Sequence, residues 1–169
     1  NFRELTNGIE SSMLQANSKG QLCVLTDTQE LVMIDSKNNV YVPVRQANRV
    51  VVYPEDSKEL GEFSVKNPHQ VVVNPKTGAI YVLRMFTNGW SVHSIAIEKF
   101  DSYAPGVKSS AIFDKIDPKS SPRITVSVGK DKTLVWLAGT PQGLIALEDK
   151  GTSLTPVETF FKRSPEPQV

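Results

Sequence analysis

The residues able to carry chemistry are few. His69 and His93 are the two histidines, and Cys23 is the single cysteine. Ligation by nitrogen and sulfur needs three or four converging donors, and neither histidine has a second His or Cys at ligand spacing. Both therefore read as structural or solvated imidazoles. Cys23 sits in the apolar run Gln21-Leu-Cys-Val-Leu25 with no base beside it, which describes a buried inert thiol. Asp35, Asn48, Asn74 and Asp131 are oxygen donors in or near turn segments, and calcium is the cation such donors suit. Asp and Asn in turns more often satisfy the turn's own amides, so the reading expects no metal and no cofactor. The chain has no glycine-rich phosphate loop, no Gly-x-Ser-x-Gly elbow, no His-Glu-x-x-His pair and no haem attachment sequence. These absences favour a non-enzyme.

Aromatic residues are the stronger candidates. Phe86, Trp90 and Tyr103 fall in two segments, residues 85–90 and 101–107, that interrupt an otherwise regular pattern. Exposed aromatics on a rigid scaffold anchor protein or carbohydrate ligands. The competing reading folds Phe86 and Trp90 over the end of their own sheet. Tyr41, Tyr81 and Trp136 recur at equivalent positions of a repeat and read as core.

The elements that must position these residues are strands. Apolar residues come in runs of about five with period-two character, such as Val40-Tyr-Val-Pro-Val44, Arg49-Val-Val-Val-Tyr53, Gln70-Val-Val-Val73 and Ala79-Ile-Tyr-Val-Leu83. Turn segments separate them: Asp35-Ser-Lys-Asn-Asn39, Asn74-Pro-Lys-Thr-Gly78, Gly129-Lys-Asp-Lys132 and Glu148-Asp-Lys-Gly151. No window sustains a helical stripe, and the best helical candidate is the short segment 9–16. A strand, turn, strand unit followed by a second apolar pair occurs three times, which predicts four-stranded antiparallel units over about 31–66, 67–120 and 121–162. The fold class is all-β: about three β-propeller blades of four antiparallel strands, with residues 1–20 as a partial blade or closing strand. Residues 163–169, with two prolines, read as a flexible tail. A β-sandwich is the alternative architecture.

The segment Ile34-Asp-Ser-Lys-Asn-Asn-Val-Tyr-Val42, with Ala47-Asn-Arg-Val-Val-Val-Tyr53 and Lys58-Glu-Leu-Gly-Glu-Phe63, resembles an NHL-type propeller repeat. Residues 67–82 are similar to the opening of the next repeat, whereas Gly129 departs from the Asp or Asn the pattern expects. The combined pattern also resembles large exported NHL proteins of planctomycete-like bacteria, and that likeness implies an extracytoplasmic location, periplasmic or secreted. Members of this repeat family are mostly interaction scaffolds, and a minority are enzymes.

Composition narrows the function further. With 19 Lys+Arg against 18 Asp+Glu, the net charge of +1 argues against nucleic acid as a partner. No apolar run approaches the roughly 18 residues of a membrane span. The expected function is a non-catalytic scaffold or binding module for protein–protein contact, within a larger propeller or by self-association. The alternatives are a fragment of a propeller hydrolase or lyase with a channel-bound metal, and an accessory subunit of an extracytoplasmic redox complex. A propeller of four to eight blades of about 40 residues needs more chain than 169 residues, so a partial propeller is expected, and Asn1 in place of Met agrees with an excised piece.

Overall fold

The computed structural model describes residues 11–16, 22–26, 32–55, 61–88, 91–118 and 121–160. Its elements are β1 (Ser11–Ala16), β2 (Leu22–Thr26), β3 (Met33–Ile34), β4 (Val40–Val44), β5 (Arg49–Tyr53), β6 (Gly61–Ser64), β7 (Pro68–Val73), β8 (Ile80–Asn88), β9 (Ser91–Phe100), β10 (Ala111–Ile116), β11 (Arg123–Val128), β12 (Thr133–Thr140), β13 (Gly143–Asp149) and β14 (Leu154–Phe160). A 3-10 turn, Arg45–Ala47, follows β4. The protein is nearly all β, as its alternating apolar runs require. Strands β3 to β6, β7 to β10 and β11 to β14 form three four-stranded antiparallel sheets, here sheets 1, 2 and 3, each ordered as the chain runs. Strands β1 and β2 form a separate hairpin beside β3. The helix expected over 9–16 is not formed where it is described, because Ser11–Ala16 pairs with Leu22–Thr26 as a strand. Eight residues are too few to hold an isolated helix against a competing partner strand. Among the described residues no helix is long and apolar enough to cross a membrane.

The sheets stack face to face in one orientation. Strand β7 packs against β3 and β4 on one side and β11 on the other, while the far strands β10 and β14 also meet. Strand alternation then sends side chains two ways. From sheet 2, Val71, Val73, Ile80, Val82 and Phe100 pack on Tyr41, Val50, Val52 and Phe63 of sheet 1. Val72, Tyr81, Leu83, Met85 and Ile97 pack on Val135, Leu137, Ile145 and Leu147 of sheet 3. Burial of both faces is why β7 and β8 are continuous apolar runs and not alternating ones. Phe63 and Phe100 add an aromatic contact at 4.8 Å between ring centres. A polar clamp fixes the sheet offset: the Gln70 amide donates to the Ile124 carbonyl at 2.9 Å and accepts from the Ile124 N–H at 2.8 Å.

The turns follow their residues. Asp35 accepts from the amides of Lys37 and Asn39, and Asn74 from those of Lys76 and Thr77. Gly129 has no side chain to do this, and its shorter turn closes through its own N–H to the Lys132 carbonyl. The segment 85–90, read as an interrupting loop, is strand as far as Asn88: Phe86 pairs with Ser94 and Asn88 with Ser91.

Two glycines at positive φ separate conformational from steric demand. Gly139 (φ 85°) would place a Cβ 2.8 Å from the Pro122 Cα, whereas at Gly78 (φ 78°) nothing lies within 4 Å. Gly78→Ala should cost about 1 kcal/mol and Gly139→Ala about 2–4 kcal/mol, since backbone cannot yield. Urea unfolding of both variants checks this, and equal losses would contradict it.

Candidate functional site

Two clefts open between adjacent sheets at the end where the first and second strands of each sheet turn. The cleft between sheets 1 and 2, about 280 Å³, is lined by Asp35, Asn39, Tyr41, Asn74, Asp101 and Tyr103. The cleft between sheets 2 and 3, about 260 Å³, is lined by Asn74, Lys99, Asp101, Thr133 and Asp149. The Asn74 turn stands between them, its amide donating to the Thr133 hydroxyl at 3.1 Å.

A buried phenol lines the first cleft, Tyr41, and a second, Tyr81, bonds to Asp149 in the wall of the other. The Tyr41 hydroxyl donates to Asp35 at 3.0 Å, and Tyr81 donates to Asp149 at 2.6 Å. Burial first, and the neighbouring carboxylate second, pushes both phenols far above their ordinary pKa. They are therefore fixed hydrogen-bond donors and not bases at neutral pH. Lys99, 5% exposed, donates to Asp149 at 3.0 Å and to the Gly151 carbonyl at 2.9 Å. Burial alone would raise the Asp149 pKa, but hydrogen bonds from Tyr81, Lys99 and the Gly151 amide outweigh it and hold the carboxyl below its ordinary value. These groups satisfy one another, so the chemistry they offer is cohesion between sheets.

Tyr103 reaches across the first cleft. Its ring meets Tyr41 edge-on at 6.0 Å, and its Cδ2 occupies the space a side chain at Gly61 would need, 2.9 Å from that Cβ position. Segment 101–107 thus folds back from sheet 2 onto sheet 1, and Gly61 is the residue that admits it. Phe86 is half-buried on its own hairpin, stacked under the Arg84 guanidinium at 5.0 Å and tilted toward His93 at 6.4 Å. Trp90 lies outside the described residues, as does the side chain of Cys23. Tyr41, Tyr81 and Trp136 all point toward the side of their sheet that the next sheet covers in sheets 1 and 2. Trp136 is half-buried and donates to the Ser127 hydroxyl at 2.7 Å.

The oxygen donors read from the sequence do not converge. Asp35, Asn74 and Asp131 sit at the turn end, whereas Asn48 caps the 3-10 turn at the opposite end in the left-handed region, its amide oxygen accepting from the Asn67 N–H. Among the described residues no three His, Cys, Asp or Glu side chains are grouped to hold a metal.

That opposite end holds a group the sequence reading missed. His69 is the extra residue of a bulge in β7, between Pro68 and Gln70, and is 6% exposed. Arg123 Nη1 lies 3.4 Å from its Nε2. A guanidinium only donates, so Nε2 accepts and the proton resides on Nδ1. Nδ1 is buried with no protein hydrogen-bond partner, a cost of about 1–3 kcal/mol. Only its Pro68-His69 and Pro122-Arg123 dipeptides, each opening the first strand of a sheet, hint at this grouping in sequence.

No protein-family model matches the chain, and no curated protein is recognisably similar to it.

Burial, then the charges of Arg123 and Arg45, lowers the His69 pKa from 6.5 to about 4. The folded state resists the proton that the unfolded chain accepts. The stability from a neutral His69 is therefore complete above about pH 6.5 and is lost as pH falls from there toward 4. Wild type should lose about 2–3 kcal/mol more than His69→Gln between pH 7 and pH 4 in urea unfolding. Parallel pH profiles would contradict this account of the imidazole.

Proposed function

We propose that this chain is a non-catalytic scaffold and binding module of NHL-type β-propeller blades, acting as part of a larger propeller or assembly. One observation carries the reading, which is that the next sheet contacts the same aromatic position in both sheet 1 and sheet 2. From each following sheet, a residue at or just past the end of the third strand reaches back to the forward-facing aromatic of the sheet before it. Tyr103 reaches Tyr41 at 6.0 Å, and Asp149 reaches the Tyr81 hydroxyl at 2.6 Å. First strands lie beside first strands in both pairs of sheets, and the last strands of sheets 2 and 3 also meet, an order that radially stacked blades adopt. A contact that adds one unit after another is a means of assembly, and a protein partner or a second copy is its natural recipient. The turn-end clefts give such a partner concave polar surfaces, the first of them with Tyr41 and Tyr103 in its lining. The same proposal includes the extracytoplasmic setting implied by the NHL resemblance.

Light scattering coupled to size-exclusion chromatography checks it. The chain should associate reversibly, with its mean mass rising as concentration rises. A monomer of constant mass at every concentration would contradict the assembly reading.

A further inference from the structure

At the end opposite the turn clefts, each of the three sheets contributes one basic side chain to the start of β7. Arg45 follows β4 of sheet 1, His69 is the bulged residue of β7 in sheet 2, and Arg123 opens β11 of sheet 3. Arg123 stands 3.4 Å from the imidazole. Arg45 comes from the other side: its Nη2 donates to the Met85 carbonyl at 3.1 Å and to the Thr87 hydroxyl at 2.9 Å. The Met85 N–H in turn donates to the carbonyl of Asn67, two residues before His69. We propose that Arg45 and Arg123, gathered about His69, form a site for a small oxyanion of the phosphate or carboxylate class, with the guanidiniums as its donors and the imidazole as its neighbour.

The charges are not otherwise used. Arg49 pairs with Glu62 at 3.0 Å and Arg84 with Glu98 at 2.9 Å. Arg45 and Arg123 have no carboxylate partner among the described residues and donate only to neutral acceptors, each through a single nitrogen. Their remaining N–H groups present the planar fork that matches oxyanion geometry. The imidazole supplies the same polarity. With Nε2 accepting from Arg123, Nδ1 carries a proton and has no acceptor. The group therefore combines excess positive charge with spare guanidinium N–H groups, and an oxyanion answers both. A cation or a neutral acceptor-poor ligand answers neither. The bulge is the structural device: it inserts His69 out of register between Pro68 and Gln70. The site draws on all three sheets, so occupancy would tie them together at the end remote from the Lys99–Asp149 pair. It stands whether or not the chain assembles as proposed above.

Imidazole NMR titrations of the wild-type chain in inorganic phosphate, in sodium acetate and in sodium chloride at matched ionic strength test the site directly. Phosphate or acetate should move the His69 resonances saturably and raise its midpoint, because an anion stabilises the imidazolium. Binding by phosphate alone assigns the tetrahedral class and binding by acetate alone the carboxylate class. Arg45→Gln and Arg123→Gln should each weaken binding by about tenfold or more, and Arg49→Gln, which removes the same charge from an exposed pair, should leave it unchanged. Identical His69 curves in the three salts would overturn the proposal, as would equal binding by wild type and an Arg45→Gln, Arg123→Gln double variant.

Discussion

A four-stranded sheet with two apolar faces cannot stand in water by itself, and sheet 2 is such a sheet. Tyr81, Ile80, Val82, Leu83 and Ile97 are wholly enclosed, and their side chains divide between two separate cores. Each side chain of this size contributes roughly 1.5–3 kcal/mol on burial. Neither outer sheet can therefore detach without exposing a face of the central one. Sheets 1 and 3 do not share a core, so their mutual placement is set through sheet 2, and the clefts and the basic group take their geometry from that stacking.

Polar contacts fix what the apolar faces leave free. Hydrophobic contact tolerates sliding, whereas a side-chain amide bonded to both the N–H and the C=O of Ile124 does not. At the turn end, Lys99 and Asp149 compensate each other under low exposure, 7% and 10% for their side chains, with Tyr81 and Gly151 saturating the carboxylate. At the other end the balance reverses: two guanidiniums and an imidazole gather without a carboxylate among the described residues. One end of the stack is thus electrostatically closed and the other open, an asymmetry that bears on which end meets a ligand.

Much of this was legible in the chain. Period-two runs and turn residues located the strands and their three-fold grouping. Asp35 and Asn74 act as turn caps, for the reason their residue types suggest. Three things were not legible. The segment 85–88 reads as loop because Phe86, Thr87 and Asn88 lack alternation, yet β9 supplies a partner strand. Ser11–Ala16 shows a short helical spacing that pairing with β2 overrides. Gln70, Lys99, Arg45 and Arg123 look like ordinary surface residues, since their partners lie 40 to 54 positions away and only the stacking brings them together.

The central claim is that sheet 2 and its two neighbours unfold as one unit. Native-state hydrogen exchange measures this residue by residue. Amides of Val82, Leu83 and Ile97 in sheet 2, Val52 in sheet 1 and Leu137 in sheet 3 should share one opening free energy, equal to that of global unfolding. Separate free energies for the three sheets, with Val82 and Leu83 exchanging while Val52 or Leu137 stays protected, would contradict the account.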